Sequence, residues 1–164
     1  MKSIKIEISF TENIVKQAAC LYIYRGLGPG SFVAMALLLL AALYSFFAGE
    51  RGVITGIFVG ASLVLSLLVM SVYFFHYRRG LATLRRMQVP HAVIELTDAE
   101  FRVTSQAGTF ATGWATFSEL WRFQDIWLLL LGPGQYITLP VENLTNEAQN
   151  FIIRCFGSTG RKIK

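Results

Sequence analysis

Hydrophobic positions change their spacing four times along this chain. From residue 4, Ile4, Ile6, Ile8 and Phe10 alternate with Lys5, Glu7 and Ser9, the period-two pattern of a strand with one buried face. Thr11 is then placed to cap a helix through the next dozen residues. Ile14, Val15, Ala18, Leu21 and Tyr22 fall largely on one side of it, and Glu12, Asn13, Lys16 and Gln17 on the other. Because this helix runs straight into an apolar block, it is expected along a membrane interface or against a polar domain. Within the block, from Gly26 to Phe75, only Glu50 and Arg51 are charged.

The block breaks at GERG, 49–52, into Leu27–Ala48 and Val53–Phe75. Each half is about 22 residues long, close to the roughly 20 a helix needs to cross a bilayer core of about 30 Å. Pro29, between Gly28 and Gly30, costs the first helix nothing, because the earliest helical N–H groups have no intrahelical partner. So short a break forces the chain to reverse, which predicts an antiparallel membrane hairpin. A cleaved secretory signal is excluded, because the apolar run starts late, is too long and ends in SFFAGE with bulky Phe46 and Phe47. Ala41 and Ser45 in the first helix and Gly56 and Gly60 in the second mirror one another about the turn. They are expected to close the hairpin, with homodimerisation as the alternative use of the GxxxG.

Past residue 90 the spacing shortens again. AVIELT (92–97), FRVTS (101–105), TFAT (109–112), Phe117–Phe123 and Ile126–Leu131 read as strands separated by DAE, QAG and the pair Gln124–Asp125. GPGQ, 132–135, suits a type II turn whose third residue needs positive φ. A final helix, 145–156, has Thr145 as its cap, Glu147 in its first turn, an apolar stripe of Ala148, Phe151, Ile152 and Cys155, and Gly157 to stop it. The expected divisions are 1–26, strand and amphipathic helix; 27–75, the hairpin of helices 27–48 and 53–75; 76–90, a basic juxtamembrane linker; and 91–164, a strand-rich domain ending in a helix.

Charge orients this plan. Arg78, Arg79, Arg85 and Arg86 follow the second apolar helix and Lys16 and Arg25 precede the first, whereas the turn holds Arg51 beside Glu50. Basic residues near helix ends stay on the cytoplasmic side, so both termini are expected in the cytoplasm of a multi-pass cell-membrane protein. Tyr44, Tyr73 and Tyr77 suit aromatic anchoring at the interfaces. Across its 164 residues the chain is 54% hydrophobic and only 15% charged, which sets it apart from an ordinary soluble domain. The net charge of +5 and the basic tail of Arg161, Lys162 and Lys164 favour an anionic inner leaflet. Nucleic acid is not expected, since no basic recognition helix accompanies that charge.

Catalytic chemistry has little to stand on. His76 and His91 do not belong to an HExxH, Cys20 and Cys155 are single and far apart, and GSTGRK at 157–162 lacks phosphate-loop spacing. Glu95, Asp98, Glu100, Glu119 and Asp125 read as a solvated face, so neither metal, cofactor nor catalytic residue is expected. The absence of charge in mid-bilayer argues against a proton relay or ion path. Trp114, Trp121, Trp127, Phe117 and Phe123 should mostly fill a small core. Trp121 with Arg122 is the best candidate contact for a headgroup or acidic partner, beside the four juxtamembrane arginines.

The VIELTDAEFRVTSQAGTFATGWATFSELWRFQDIWLLL stretch with its Trp114, the QYITLP segment, the final helix and the apolar pair together resemble the bacterial YcxB-like family of membrane proteins. The resemblance implies a small α+β, pleckstrin-homology-like cytoplasmic domain of antiparallel strands closed by the C-terminal helix. It also implies that the strand near residues 3–10 joins the sheet formed after residue 90, with the hairpin inserted between them. It supplies no catalytic residues. The leading expectation is a non-enzymatic membrane-anchored adaptor that binds a protein partner or anionic lipid at the inner face. The alternatives are a membrane immunity or inhibitor protein acting through residues 41–60 and, third, a lipid-acting enzyme.

Overall fold

Alternation becomes geometry in β1, Ile4–Ser9, where Ile6 and Ile8 are buried and Lys5 and Glu7 are exposed. Its neighbour lies beyond the whole apolar block. β1 pairs antiparallel with β2, His91–Leu96, in a register running from Ile4↔Leu96 to Ser9↔His91. β2 pairs with β3, Glu100–Ser105, and β3 with β4, Gly108–Gly113, to give a four-stranded sheet in the order β1-β2-β3-β4. The N-terminal strand thus joins the sheet formed after residue 90, as the family resemblance implied. This computed structural model describes residues 3–49, 52–86, 90–106, 108–132 and 134–164.

A second sheet holds β5, Glu119–Arg122, β6, Ile126–Gly132, and β7, Gln135–Pro140. Its order is β7-β6-β5-β8, where β8 is Lys162–Ile163 and runs parallel to β5. Gly134 takes φ +74°, as the third position of the predicted GPGQ turn requires, while Pro133 lies outside the described residues. Ala107 of the predicted QAG turn lies outside them too. At the β5–β6 reversal the Phe123 N–H donates to the Ile126 carbonyl at 3.0 Å. Among the described residues no non-glycine has positive φ, so Gln124 and Asp125 do not form the type I′ turn common in tight hairpins.

Both sheets contribute to one hydrophobic core, together with α4, Asn146–Ser158. The Thr145 hydroxyl accepts from the Ala148 N–H at 3.2 Å, and the stripe of Ala148, Phe151, Ile152, Cys155 and Phe156 is buried. Gly157, expected to stop this helix, lies inside it. The chain reverses later, at Gly160 with φ +66°. Trp114 sits in a short 3-10 turn after β4, surrounded by the rings of Phe101, Phe117, Phe151 and Phe156 at centroid distances of 5.8 to 6.4 Å. Its Nε1–H donates to the Thr97 carbonyl at 2.8 Å, so the one polar atom of this buried indole has a partner.

The chain divides into two compact units, Met1–Ala18 with Arg79–Lys164, and Ala19–Arg78. Three helices run through or into the second. α1 is Glu12–Leu27, opened by Thr11, whose hydroxyl accepts from the Ile14 N–H at 3.3 Å. α2 is Pro29–Phe47, entered through Gly28 at φ +75° with proline in its first turn. α3 is Val53–Arg85. Both α2 and α3 are long and apolar enough to cross a membrane. Glu50 and Arg51 of the expected turn lie outside the described residues.

Two expectations need correction here. The second apolar helix does not give way to a linker at residue 76 but continues to Arg85. Tyr, Arg, Leu, Ala and Thr all sustain a helix, and the nearest strong breaker is Pro90, so nothing in 76–85 except Gly80 disfavours nearly three more turns. Residues 87–89 of the expected linker lie outside the described residues. The small residues that become buried also differ from those predicted to close the hairpin. In α2 they are Ala42 and Ser45, with Ala41 half-buried, and in α3 they are Thr55 and Ser62. Gly56 and Gly60 are exposed, and a Cβ at either would meet nothing within 4 Å. Adjacent helical positions differ by about 100° in direction, so burying Thr55 turns Gly56 away. Ser62 tolerates burial because its hydroxyl donates to the Phe58 carbonyl at 2.8 Å.

Candidate functional site

The end of α3 carries the strongest local charge pattern in the chain. Arg78 and Arg85 are seven positions apart, as are Arg79 and Arg86, so two turns of helix bring all four to one side. All four are exposed, while His76, Tyr77, Gly80, Leu81 and Leu84 on the other side are half-buried. Gly80 faces α1 so closely that a Cβ there would stand 2.6 Å from Val15 Cγ1. The helix is thus packed on one side and basic on the other. No ion pair joins these arginines to another described residue. Guanidinium groups present a planar fork of donors matched to phosphate and carboxylate oxygens, so this face is chemically suited to anionic groups.

Trp121 and Arg122 were expected to act together, but the structure separates them. Successive strand residues point to opposite faces, so Trp121 is buried and Arg122 exposed on β5. Trp121 is therefore not an open contact residue: its Nε1–H donates to Glu119 Oε2 at 2.5 Å. The Arg122 guanidinium lies 4.9 Å from the Trp127 ring centroid, a cation–π arrangement that holds it in place at the surface.

The basic tail is partly consumed by the fold. The Lys164 N–H donates to the Leu120 carbonyl at 2.9 Å, the Arg122 N–H donates to the Lys164 carbonyl at 2.8 Å, and Lys164 Nζ lies 2.8 Å from Glu119 Oε2. Arg161 Nη2 donates to the Ala115 carbonyl at 3.0 Å. Burial pushes the Glu119 carboxyl up, but hydrogen bonds from Lys164 and Trp121, with the charges of Lys164 and Lys162, outweigh it and leave the group below its ordinary value. A carboxylate lowered on folding stabilises the fold above its unfolded pKa, and that contribution fades as pH falls through the folded value. Amide protection at Arg122 and Lys164 is therefore expected to weaken as pH falls below the ordinary carboxylate range. Glu119→Gln is expected to weaken it at neutral pH and to flatten the pH dependence; hydrogen-exchange protection factors across an acid series check both.

The remaining chemically capable groups have structural surroundings. The carboxylates read as a solvated face are largely ion-paired: Glu95 with Lys5 at 2.6 Å, Glu100 with Arg102 at 2.7 Å and Asp98 with Arg154 at 3.4 Å. The hydrogen bond and charge of Lys5 hold Glu95 below its usual range. Asp125 accepts from Gln17 Nε2 at 3.3 Å. Ser9 Oγ and His91 Nδ1 are 3.0 Å apart, and the His76 ring lies 4.8 Å from that of Tyr22. Burial pushes the Cys155 thiol up, whereas Cys20 is exposed. Among the described residues no three His, Cys, Asp or Glu side chains gather as a metal site. Sequence reasoning missed the Glu119–Lys164–Trp121 cluster, because a two-residue strand leaves no periodic signal.

A family model described as YcxB-like protein matches residues 96–156, from the last residue of β2 into α4. Neither curated proteins nor solved structures yield a match to the chain.

Proposed function

Taking residues 96–156 as a YcxB-like segment, we propose that the chain is a non-enzymatic, membrane-anchored interaction module that engages anionic groups at the inner face of the cell membrane. The observation that carries this is the four-arginine face on a helix whose preceding residues are apolar enough to cross a bilayer. At about 1.5 Å per residue α3 is about 50 Å long, against a hydrocarbon core of about 30 Å, which leaves its basic end in the headgroup region and beyond. Lysine and arginine near an anionic leaflet contribute about 1 kcal/mol each. A cytoplasmic location for both flanks of the hairpin is supported by this charge. That both flanks share one side is supported by the β1–β2 pairing, since strands on opposite sides of a membrane could not share a ladder. A pleckstrin-homology-like arrangement is supported by four antiparallel strands, then three, then a helix feeding the same core.

The test uses the full chain in nanodiscs of phosphatidylcholine doped with spin-labelled phosphatidylglycerol or spin-labelled phosphatidylcholine. Preferential immobilisation of the anionic probe is expected, and it should disappear when Arg78, Arg79, Arg85 and Arg86 are all replaced by glutamine. Equal immobilisation of both probes by the unaltered protein would sink lipid engagement and shift weight to a protein partner. In that case Arg122→Ala should reduce partner recovery from native membranes. The inhibitor reading is favoured by one observation, the exposure of Gly56 and Gly60. Crosslinks from residues 41–60 to a different protein would support it.

A further inference from the structure

The two sheets end in four outer strands, β1, β4, β7 and β8. An outer strand presents a row of unpaired backbone donors and acceptors, and natural sheets commonly guard that row with charge, proline or short length. Three of these edges are guarded. β1 carries Lys5 and Glu7, β7 ends in Pro140, and β8 has two residues, with Lys162 set between Arg161 and Lys164. β4 has none of these devices. Gly-Thr-Phe-Ala-Thr-Gly, 108–113, is six residues long, uncharged, free of proline, regular in register against β3, and exposed except at half-buried Thr112.

A second observation points the same way. The cross-strand register aligns Ile6, Ile94, Val103 and Phe110 in one row on the core face of the sheet. Ile6 and Ile94 are 6% and 1% exposed, yet Phe110 at the end of the row is 41% exposed. The core face therefore continues to the sheet edge and ends there in an uncovered phenyl ring.

We propose that β4 is a self-association edge, where two copies of the chain pair β4 to β4 antiparallel about a two-fold axis perpendicular to the sheet and centred on Phe110. Such an axis keeps each face of the sheet on its own side, so the pairing must centre on a residue. Centring it on Phe110 sets the two phenyl rings side by side on the core face, Thr109 opposite Ala111 and Gly108 opposite Thr112. This isologous contact meets no like charge, because the strand has none. An extended peptide could satisfy the same backbone groups, but a second copy also supplies the matching uncovered ring. Anchoring both copies in one membrane raises their effective concentration, so a modest interface suffices.

The test counts copies by single-molecule photobleaching of labelled full chain in dilute vesicles. Two-step bleaching is expected for the unaltered protein. Phe110→Lys and Phe110→Glu, each alone, should weaken association about tenfold, the loss of one aromatic pair set against like charges directly opposed. Mixing the two variants should restore pairing, which a misfolded edge could not do. The double variant G56L/G60L, altered on the exposed face of α3, should still pair. One-step bleaching of the unaltered protein, or pairing that survives F110K but is lost in G56L/G60L, would overturn the proposal. So would recovery of a bound peptide on β4 without self-association.

Discussion

Replacing Trp114 by alanine is expected to destabilise the sheet unit by about 3–5 kcal/mol. The magnitude follows from its position. Trp114 is 4% exposed and its ring meets Phe101, Phe117, Phe151 and Phe156, which come from β3, the segment after the 3-10 turn, and α4. Deleting it opens one cavity bordered by the first sheet, the segment leading into β5 and the helix, and nearby chains cannot collapse into it without losing their own contacts. Domains of this kind hold about 5–15 kcal/mol in total, so much of the margin would go. Phenylalanine at the same place keeps most of the ring area but leaves the Thr97 carbonyl without its 2.8 Å donor, and a loss of about 1–3 kcal/mol is expected. Denaturant titration of the detergent-solubilised full chain, followed by circular dichroism, orders the three proteins. Equal midpoints for the alanine variant and the unaltered chain would show that Trp114 does not hold this core together.

Gly80→Leu should be the other costly change, at about 1–3 kcal/mol for overpacking. A Cβ at Gly80 would come within 2.6 Å of Val15 Cγ1, and valine is stiff because its branch at Cβ leaves it few rotamers. Replacing glycine in a helix returns up to about 1 kcal/mol of propensity, so a net loss would mean that the clash prevails. Val15→Ala removes the atom that blocks the way. The two changes should therefore couple, by about 0.5–3 kcal/mol in a double-mutant cycle, with the pair more stable than the sum of the singles. Additive losses would show that α1 and α3 do not meet at this point. The stake is functional as well as structural, since this close approach fixes the side of α3 that packs and leaves Arg78, Arg79, Arg85 and Arg86 on the other.

Much of this architecture was legible locally. Period-two spacing in Ile4–Ser9, two apolar runs of membrane-crossing length and Thr145 as a helix cap each depend on neighbours a few residues away. The arginine cluster was equally legible as a run of basic residues following an apolar one. That they lie on a helix at all was missed: no stop signal precedes Pro90, and the change from apolar to basic composition had suggested a linker where the backbone simply continues.

Tertiary structure decided which faces are used. The sequence determined that small residues line both apolar helices, but the rotation of α3 buried Thr55 and Ser62 and left Gly56 and Gly60 exposed. It determined that Trp121 and Arg122 are adjacent. Only the folded sheet, with Glu119 and Lys164 brought together from β5 and the tail, turned the indole inward and gave its N–H a partner. It determined that the tail is basic, and the structure made part of that charge a strand. The physical reason is common to all three. Periodicity records how a segment divides its own surface between apolar and polar, whereas the identity of what covers that surface depends on residues far along the chain, and the free energy of that pairing exists only once they meet.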